Sequence, residues 1–392
     1  MKKLWALLLL AAIAMTACSA PSLESVPPSD TTTTPDAVST VPTETGTVNP
    51  ADWMPTYGLS VEPLPLPEVE TENGFLEILD GRNNLVLCAE QLKILDQATM
   101  SSYFLTKKLG IYDTGSRQYL CTWVPETEGW YYAGGLISDH SALCAVREDY
   151  WNTYPAEFAL IDFGDTQKRI ENIVGEIQAV RSSKGGTVWV SSQVPDGSFG
   201  IGCYSGSVYS DVLSWECREG QEPMDGQITP CGVQTGFSCV TEGQCVLMAL
   251  DEAGTGWEYR LEYLKERLDS FCLTPCGIVA CLSVNQDTPD AHRALVLITN
   301  GDQCAELRRG ALDGALYQMR FAGTMGVAVD YRWGIHVLAV KEDRLGTEPL
   351  NAPELAELLN QNVRFFTADE ASFYFFYPDA QRLFRVILAP SA

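Results

Sequence analysis

From Gly74 to Ala392 the chain alternates short apolar runs with turn residues, and helical periodicity is scarce. Runs of four to eight apolar or alternating residues bounded by Gly, Pro, Asp and Asn are the signature of strands. Pro353 to Gln361 reads as a short helix, and Glu258 to Leu268 is ambiguous, because Trp257, Tyr259, Leu261 and Tyr263 also alternate as a strand would. One element recurs: an apolar strand, a polar turn and a return strand. Its turns are anchored at Asp113, Asp162, Ser205, Asp251, Thr299, Lys341 and Tyr377, which makes seven hairpins at intervals of 36 to 49 residues.

A repeat sharpens this pattern. Thr229-Pro230-Cys231-Gly232 recurs 45 residues later as Thr274-Pro275-Cys276-Gly277. Without gaps, GQITPCGVQTGFSCV (226–240) lies over FCLTPCGIVACLSVN (271–285), and a further step gives LYQMRFAGTMGVAVD (316–330), so that Gly236, Cys281 and Gly326 coincide. Residues 74–392 divided among seven units give about 46 each, and four-stranded blades take roughly 40–50. The expected fold is all-β, a β-propeller of seven blades, with six or eight as the alternatives. A pair of β-sandwiches does not account for the repeat. The last unit shows three strands, 362–367, 372–377 and 382–388. Its fourth is expected from Phe75–Leu79 or Leu85–Ala89, because closure by the other terminus protects the edges of the array.

One hairpin carries a family resemblance. Ser182-Ser183-Lys184-Gly185-Gly186-Thr187-Val188-Trp189 resembles the S-x-D-x-G-x-T-W turn-and-strand of sialidase-type and sensor-type propellers. Lys184 stands where that family has a turn-stabilising Asp, and Val188 stands in place of its Thr. The resemblance implies a propeller hairpin and no activity.

The first residues are of another kind. Lys2 and Lys3 precede an apolar run, Leu4 to Met15, that is shorter than the roughly 20 residues a spanning helix needs. It ends in Met15-Thr16-Ala17-Cys18, which resembles the lipobox of bacterial lipoproteins, with Met in place of the usual Leu. The resemblance implies removal of residues 1–17 as a signal peptide. It also implies a palmitate-bearing lipid on Cys18 and an extracytoplasmic chain held to the cell membrane. A plain secreted protein or an uncleaved anchor is the alternative. Residues 18–73 are rich in Ser, Thr, Pro and acids and read as a disordered, lipid-anchored linker, with 74–392 as the propeller domain. Trp53, Met54 and Tyr57 interrupt that linker as residues able to dock on the domain.

Composition narrows the partners. The net charge is −25, and loss of Lys2 and Lys3 with the signal peptide takes it to −27, which disfavours nucleic acid and anionic headgroups. Besides Cys18, twelve cysteines remain. Their even number permits disulfides, but Cys88, Cys144, Cys203, Cys239, Cys245 and Cys281 sit inside apolar runs, where cysteine acts as a small buried hydrophobe. The reading taken is buried thiols, with a disulfide framework as the alternative. No C-x-x-C occurs.

No nucleophile elbow, zinc-protease, phosphate-loop or dinucleotide motif is present, so no catalytic residue, metal ligand or cofactor is assigned. Asp139-His140-Ser141 is contiguous and does not make a triad, whose members converge from separate segments. His336 lies in an alternating strand, and Asp80-Gly81-Arg82-Asn83-Asn84 reads as a β-turn rather than a calcium loop. Cys231 and Cys276 fall at equivalent positions of the repeat and read as packed thiols.

The functional clue is in the loops. Thr241–Gly243 and Ala368–Glu370 are short, whereas 147–155, 285–293 and 330–334 are long or aromatic. Tyr150, Trp151, Tyr154, Tyr331 and Trp333 are the candidate binding residues, because aromatic rings on irregular loops give contact area at low entropic cost. The sequence therefore points to a noncatalytic interaction lipoprotein holding a protein or glycan on one loop face. The alternative is a glycan hydrolase with carboxylates at the propeller mouth. A sensor domain is a third reading.

Overall fold

A computed structural model describes residues 53–390, except 97–100, 127, 148–156, 164–167, 171–175, 184–185, 194–198, 206–207, 216–227, 232–233, 242–243, 287, 310–314 and 359–360. All the described residues fall in the compact unit Val48–Ala392. The first strand, β1 (Tyr57–Leu64), belongs to the last sheet. Blade 1 is β2 (Gly74–Arg82), β3 (Leu85–Asp96), β4 (Ser101–Asp113) and β5 (Gln118–Trp123). Blade 2 is β6 (Trp130–Leu136), β7 (Ser141–Arg147), β8 (Glu157–Asp162) and β9 (Lys168–Ile170). Blade 3 is β10 (Glu176–Ser182), β11 (Val188–Gln193), β12 (Phe199–Ser205) and β13 (Val208–Trp215). Blade 4 is β14 (Ile228–Cys231), β15 (Gln234–Thr241), β16 (Gln244–Asp251) and β17 (Gly256–Arg260). Blade 5 is β18 (Glu266–Thr274), β19 (Gly277–Val284), β20 (His292–Thr299) and β21 (Asp302–Arg309). Blade 6 is β22 (Leu316–Ala322), β23 (Met325–Asp330), β24 (Ile335–Lys341) and β25 (Arg344–Pro349). Blade 7 is β26 (Arg364–Thr367), β27 (Ser372–Tyr377) and β28 (Arg382–Pro390), completed by β1.

The innermost strands β2, β6, β10, β14, β18, β22 and β26 touch in turn, and β26 touches β2 again, so the ring closes. The chain is a seven-bladed, all-β propeller. Antiparallel order puts the turns between first and second strands, and between third and fourth, on one end. The turns between second and third strands lie on the opposite end.

The core is a set of apolar layers between neighbouring blades. In β3, Val86 and Cys88 pack toward blade 7, while Leu87 and Ala89 pack toward blade 2. In β19, Val279 and Cys281 face blade 6, and Ile278, Ala280 and Leu282 face blade 4. Successive side chains of a strand point to opposite faces, and here both faces are covered. That is why these strands read as unbroken apolar runs rather than alternating ones. Burial of each large apolar side chain contributes about 1.5–3 kcal/mol, and Trp189, Phe237 and Phe373 are among those with essentially no exposure.

Closure uses another strand than the sequence suggests. Phe75–Leu79 and Leu85–Ala89 fall in β2 and β3 of blade 1, whereas β1 pairs with β28 from Tyr57↔Pro390 to Leu64↔Leu383. The ordered domain thus begins inside the segment read as linker. Trp53, Met54 and Tyr57 pack on the layer between blades 6 and 7, as expected. Gly346 makes room for them, since a Cβ there would lie 1.8 Å from the Trp53 carbonyl oxygen.

Six of the expected hairpins are the outer turns of blades 1 to 6. Tyr377 instead ends β27, so the seventh turn joins second and third strands and lies on the opposite end. Its interval of 36, the shortest of the set, is the trace of that difference. The repeat also shifts in register. Two-residue turns join Cys231 to Gln234, Thr274 to Gly277 and Ala322 to Met325, which sets β15, β19 and β23 apart by 43 and 48 residues rather than 45. Thr229 accordingly accepts from the Leu273 amide (2.9 Å), whereas Thr274 donates to the Gly277 carbonyl (2.8 Å). Pro353–Leu358 forms a 3₁₀ helix, and the ambiguous stretch divides between β17 and β18. The Ser182–Trp189 segment is the turn from β10 to β11, where Gly186 adopts φ +86°. A Cβ on Gly186 would meet the Ile137 carbonyl oxygen at 2.7 Å.

Candidate functional site

All seven blades line a central cavity of about 850 Å³, bounded by the innermost strands and the turns that follow them. Four of its residues are arginines: Arg82, Arg181, Arg320 and Arg364. Each stands within the last four residues of its innermost strand, on blades 1, 3, 6 and 7. A chain of net charge −25 therefore gathers four guanidinium groups on its axis.

Two of the four are committed to holding the ring together. Arg82 donates to the Ser183 carbonyl (3.3 Å) and the Ile137 carbonyl (3.1 Å). On the same strand, buried Asp80 accepts from the Leu136 amide (2.7 Å) and the Ser182 hydroxyl (2.5 Å). Blade 1 thereby clasps the ends of β6 and β10. Burial pushes the Asp80 carboxyl up, against those two donors and the charge of Arg82. Arg364 is ion-paired with Glu77, whose carboxyl is pushed up to about 6 by burial, with Arg364 pulling the other way.

Arg181 and Arg320 are different. Each donates Nη1 to the carbonyl of the preceding residue, Val180 at 2.9 Å and Met319 at 2.8 Å. Among the described residues no carboxylate lies within ion-pair distance of either. Both are half-buried, exposed toward the cavity they line. Burial lowers the pKa of both, and the charge of Arg320 lowers Arg181 further, to about 10, with Asp80 opposing. Two like charges are thus held in mutual range inside a protein wall. Cys272 lies near Arg320, and burial pushes its thiol up to about 12, which keeps it protonated.

The sequence-derived candidates lie elsewhere. Cys18, Tyr150, Trp151 and Tyr154 are outside the described residues. Tyr331 and Trp333 sit in the turn from β23 to β24, on the end opposite the inner turns, and both are exposed. Asp330 builds that turn by accepting from the Arg332 and Gly334 amides, each at 2.8 Å, with His336 Nε2 3.1 Å from its other oxygen. Burial would raise the Asp330 carboxyl, but these partners hold it below the ordinary value. The short loop Ala368–Glu370 follows β26, so it belongs to the inner-turn end and lines the cavity, not the face of Tyr331 and Trp333.

His140 lies beside Asp139 (2.6 Å) on an exposed turn. Asp80 to Arg82 end β2, leaving Asn83-Asn84 as the turn. No group of three or more His, Cys, Asp or Glu side chains is arranged to hold a metal among the described residues. Among the described residues ten cysteines, Cys231 and Cys276 included, are free thiols.

Sequence reasoning searched the mouth for carboxylates and the loops for aromatics, and missed the arginines. Their signal is a basic residue near the end of the innermost strand in four of seven units. It stands one, two, three or four places from the strand end, so it forms no column in any gapless alignment.

No family model matches the chain, and no curated protein matches it. Among solved structures, it is similar to a chain of the mitotic checkpoint complex (TM-score 0.49, 10% identity, 93% of this chain and 99% of that chain covered). It is similar to virginiamycin B lyase from Staphylococcus aureus (0.49, 10% identity, 85% and 99% covered). The computationally designed Ika8 protein is a third (0.46, 11% identity, 81% and 98% covered). Likeness at this level carries no argument about function, and the fold stands on the strand order and pairing above.

Proposed function

We propose that this chain is a noncatalytic binding lipoprotein, tethered outside the cell membrane through Cys18, that takes an anionic group of its partner into the arginine-lined cavity. One observation carries this reading: Arg181 and Arg320 face the same cavity with no carboxylate within ion-pair distance among the described residues. Guanidinium groups taken from water without counter-charges are costly, and an anion entering between them relieves both desolvation and mutual repulsion. The carboxylates in and beside the cavity favour binding over hydrolysis. Asp80 holds two donors from neighbouring blades, Glu77 is paired with Arg364 and Asp369 with Arg385, while Glu370 is exposed at the rim.

A thermal-shift series on the full chain with acetate, sulfate and phosphate, at constant ionic strength, tests this. At about one hundred times its Kd an anion adds about 2.7 kcal/mol to stability. At least one anion is expected to raise the Tm of the wild type and leave that of the Arg181→Gln/Arg320→Gln double variant unmoved. Equal shifts in both proteins, or none in the wild type, overturn the reading. A second reading places a protein or glycan on the opposite loop face, through Tyr331 and Trp333 together with Tyr150, Trp151 and Tyr154. It is supported by the exposure of the first two on a turn fixed by Asp330.

A further inference from the structure

Granting that the cavity is an anion site, we infer that the group it takes is a tetrahedral dianion, a phosphoryl group entering along the channel axis and bound between Arg181 and Arg320. The first argument is charge balance. Four guanidinium groups line the cavity, and the carboxylates on the same innermost strands, Glu77 and Asp80, supply at most two negative charges. The other lining carboxylates, Asp369 and Glu370, stand at the rim on the loop after β26, where Asp369 is tied to Arg385 (2.5 Å) and Glu370 is exposed to solvent. A monoanion leaves one positive charge uncompensated inside the ring, whereas a dianion leaves none.

The second argument is geometric. Blades 3 and 6 are three steps apart in one direction around the ring and four in the other, so Arg181 and Arg320 reach the axis from nearly opposite sides. A carboxylate offers about four acceptor sites in one plane, and a single bidentate arginine takes up one side of it. A phosphoryl group turns oxygens outward in several directions and accepts two arginine forks at once. Each of the two arginines gives one N–H to its own strand and keeps about four for a ligand.

The third argument is access. Seven innermost strands wall the cavity on every side, so a ligand enters end-on, through the inner turns near Pro230, Pro275 and Thr324. An anion in the middle of a long polymer cannot reach the arginines. A free ion or a terminal phosphomonoester can.

Calorimetry on the full chain decides between these chemistries, using inorganic phosphate, glycerol phosphate, sulfate, dimethyl phosphate and acetate at constant ionic strength and pH 7.5. Sulfate and at least one of the two phosphates are expected to bind at least about ten-fold tighter than the monoanions acetate and dimethyl phosphate. Tighter binding of inorganic phosphate identifies a free ion as the ligand, and tighter binding of glycerol phosphate an esterified one.

Arg181→Gln and Arg320→Gln are each expected to lose about ten-fold, while Lys341→Gln, which removes an exposed surface cation, binds as the wild type does. Unliganded Tm values close to that of the wild type separate loss of the site from loss of the fold, and Arg320→Lys supplies a gentler variant, expected to weaken binding without abolishing it. At pH 5 the phosphates become monoanions, their second pKa being about 6, and are expected to weaken relative to sulfate. Sulfate keeps its charge and controls for titration of Glu77 and Asp80. Acetate binding as tightly as phosphate and sulfate removes the dianion inference and leaves the anion site standing. Absence of binding by every anion removes both.

Discussion

Glu77 sits under the channel wall, where Arg364 and the Ile78 amide offset its charge only in part, and pH exposes the cost. Its carboxyl titrates at about 6, above its ordinary 4.5, because burial outweighs the ion pair. The folded chain therefore holds that proton more tightly than the unfolded chain does. Below about pH 4.5 Glu77 imposes no penalty; as pH rises through about 6 the penalty grows to about 2 kcal/mol. Buried Asp80 shifts in the same direction. Asp330 and Asp369 act oppositely: hydrogen bonds hold them below 3.8 despite burial, so their contribution is complete above that value and is lost on further acidification. Melting temperature is expected to peak between about pH 4 and 5 and to decline toward pH 7. In Glu77→Gln the decline between pH 4.5 and 6.5 is expected to be shallower. A variant profile parallel to that of the wild type counts against Glu77 as its source.

At the scale of the element, legibility followed burial. Stretches covered on both faces, such as Leu85–Ala89 of β3 and Ile278–Leu282 of β19, are apolar without interruption, and their spacing disclosed the blades. β1 escaped because it is an outermost strand. Its burial alternates, it carries Pro63 opposite Phe384, and it follows a Pro-rich stretch. Proline is tolerated at such an edge, where one row of backbone groups needs no partner. The arginines escaped for another reason: their position is defined by the ring axis, and bulges at Ile177/Ala179 in β10 and Tyr317/Arg320 in β22 change how many residues precede each one. Deleting Tyr57–Leu64 while keeping the preceding residues leaves β28 as an open edge and uncovers the layer packed on Leu59 and Val61. The deletion is expected to lower the Tm and to promote association in size-exclusion chromatography. A monomer of unchanged Tm shows that β1 is dispensable.

For the whole molecule, the contrast is between an acidic exterior and a basic axis. A net charge of −25 repels extended polyanions at a distance, and salt screens that repulsion beyond about 8 Å at physiological strength. That field repels small or terminal anions less than extended polyanions, because they approach with little charge of their own. The proposed tethering through Cys18 rests on the lipobox resemblance and is tested on the full chain. Cys18→Ala is expected to move the protein from the membrane fraction to the soluble extracytoplasmic fraction, and labelled palmitate is expected to enter the wild type alone. Label in both proteins removes Cys18 as the attachment point.

The union of β1 with β28 also sets a timetable. Synthesis makes Tyr57–Leu64 before any other strand of the ring, yet its partner, Arg382–Pro390, is the last strand of the ring to be made. Blades 1 to 6 are each built from one continuous stretch and can pair as they emerge, whereas blade 7 waits for both the first and the last strand of the ring. Joining ends so far apart in sequence adds a slow, late step. Until it is complete the nascent ring has an unguarded side, so a chain stopped before Arg382 lacks the very strand to which its beginning was meant to return.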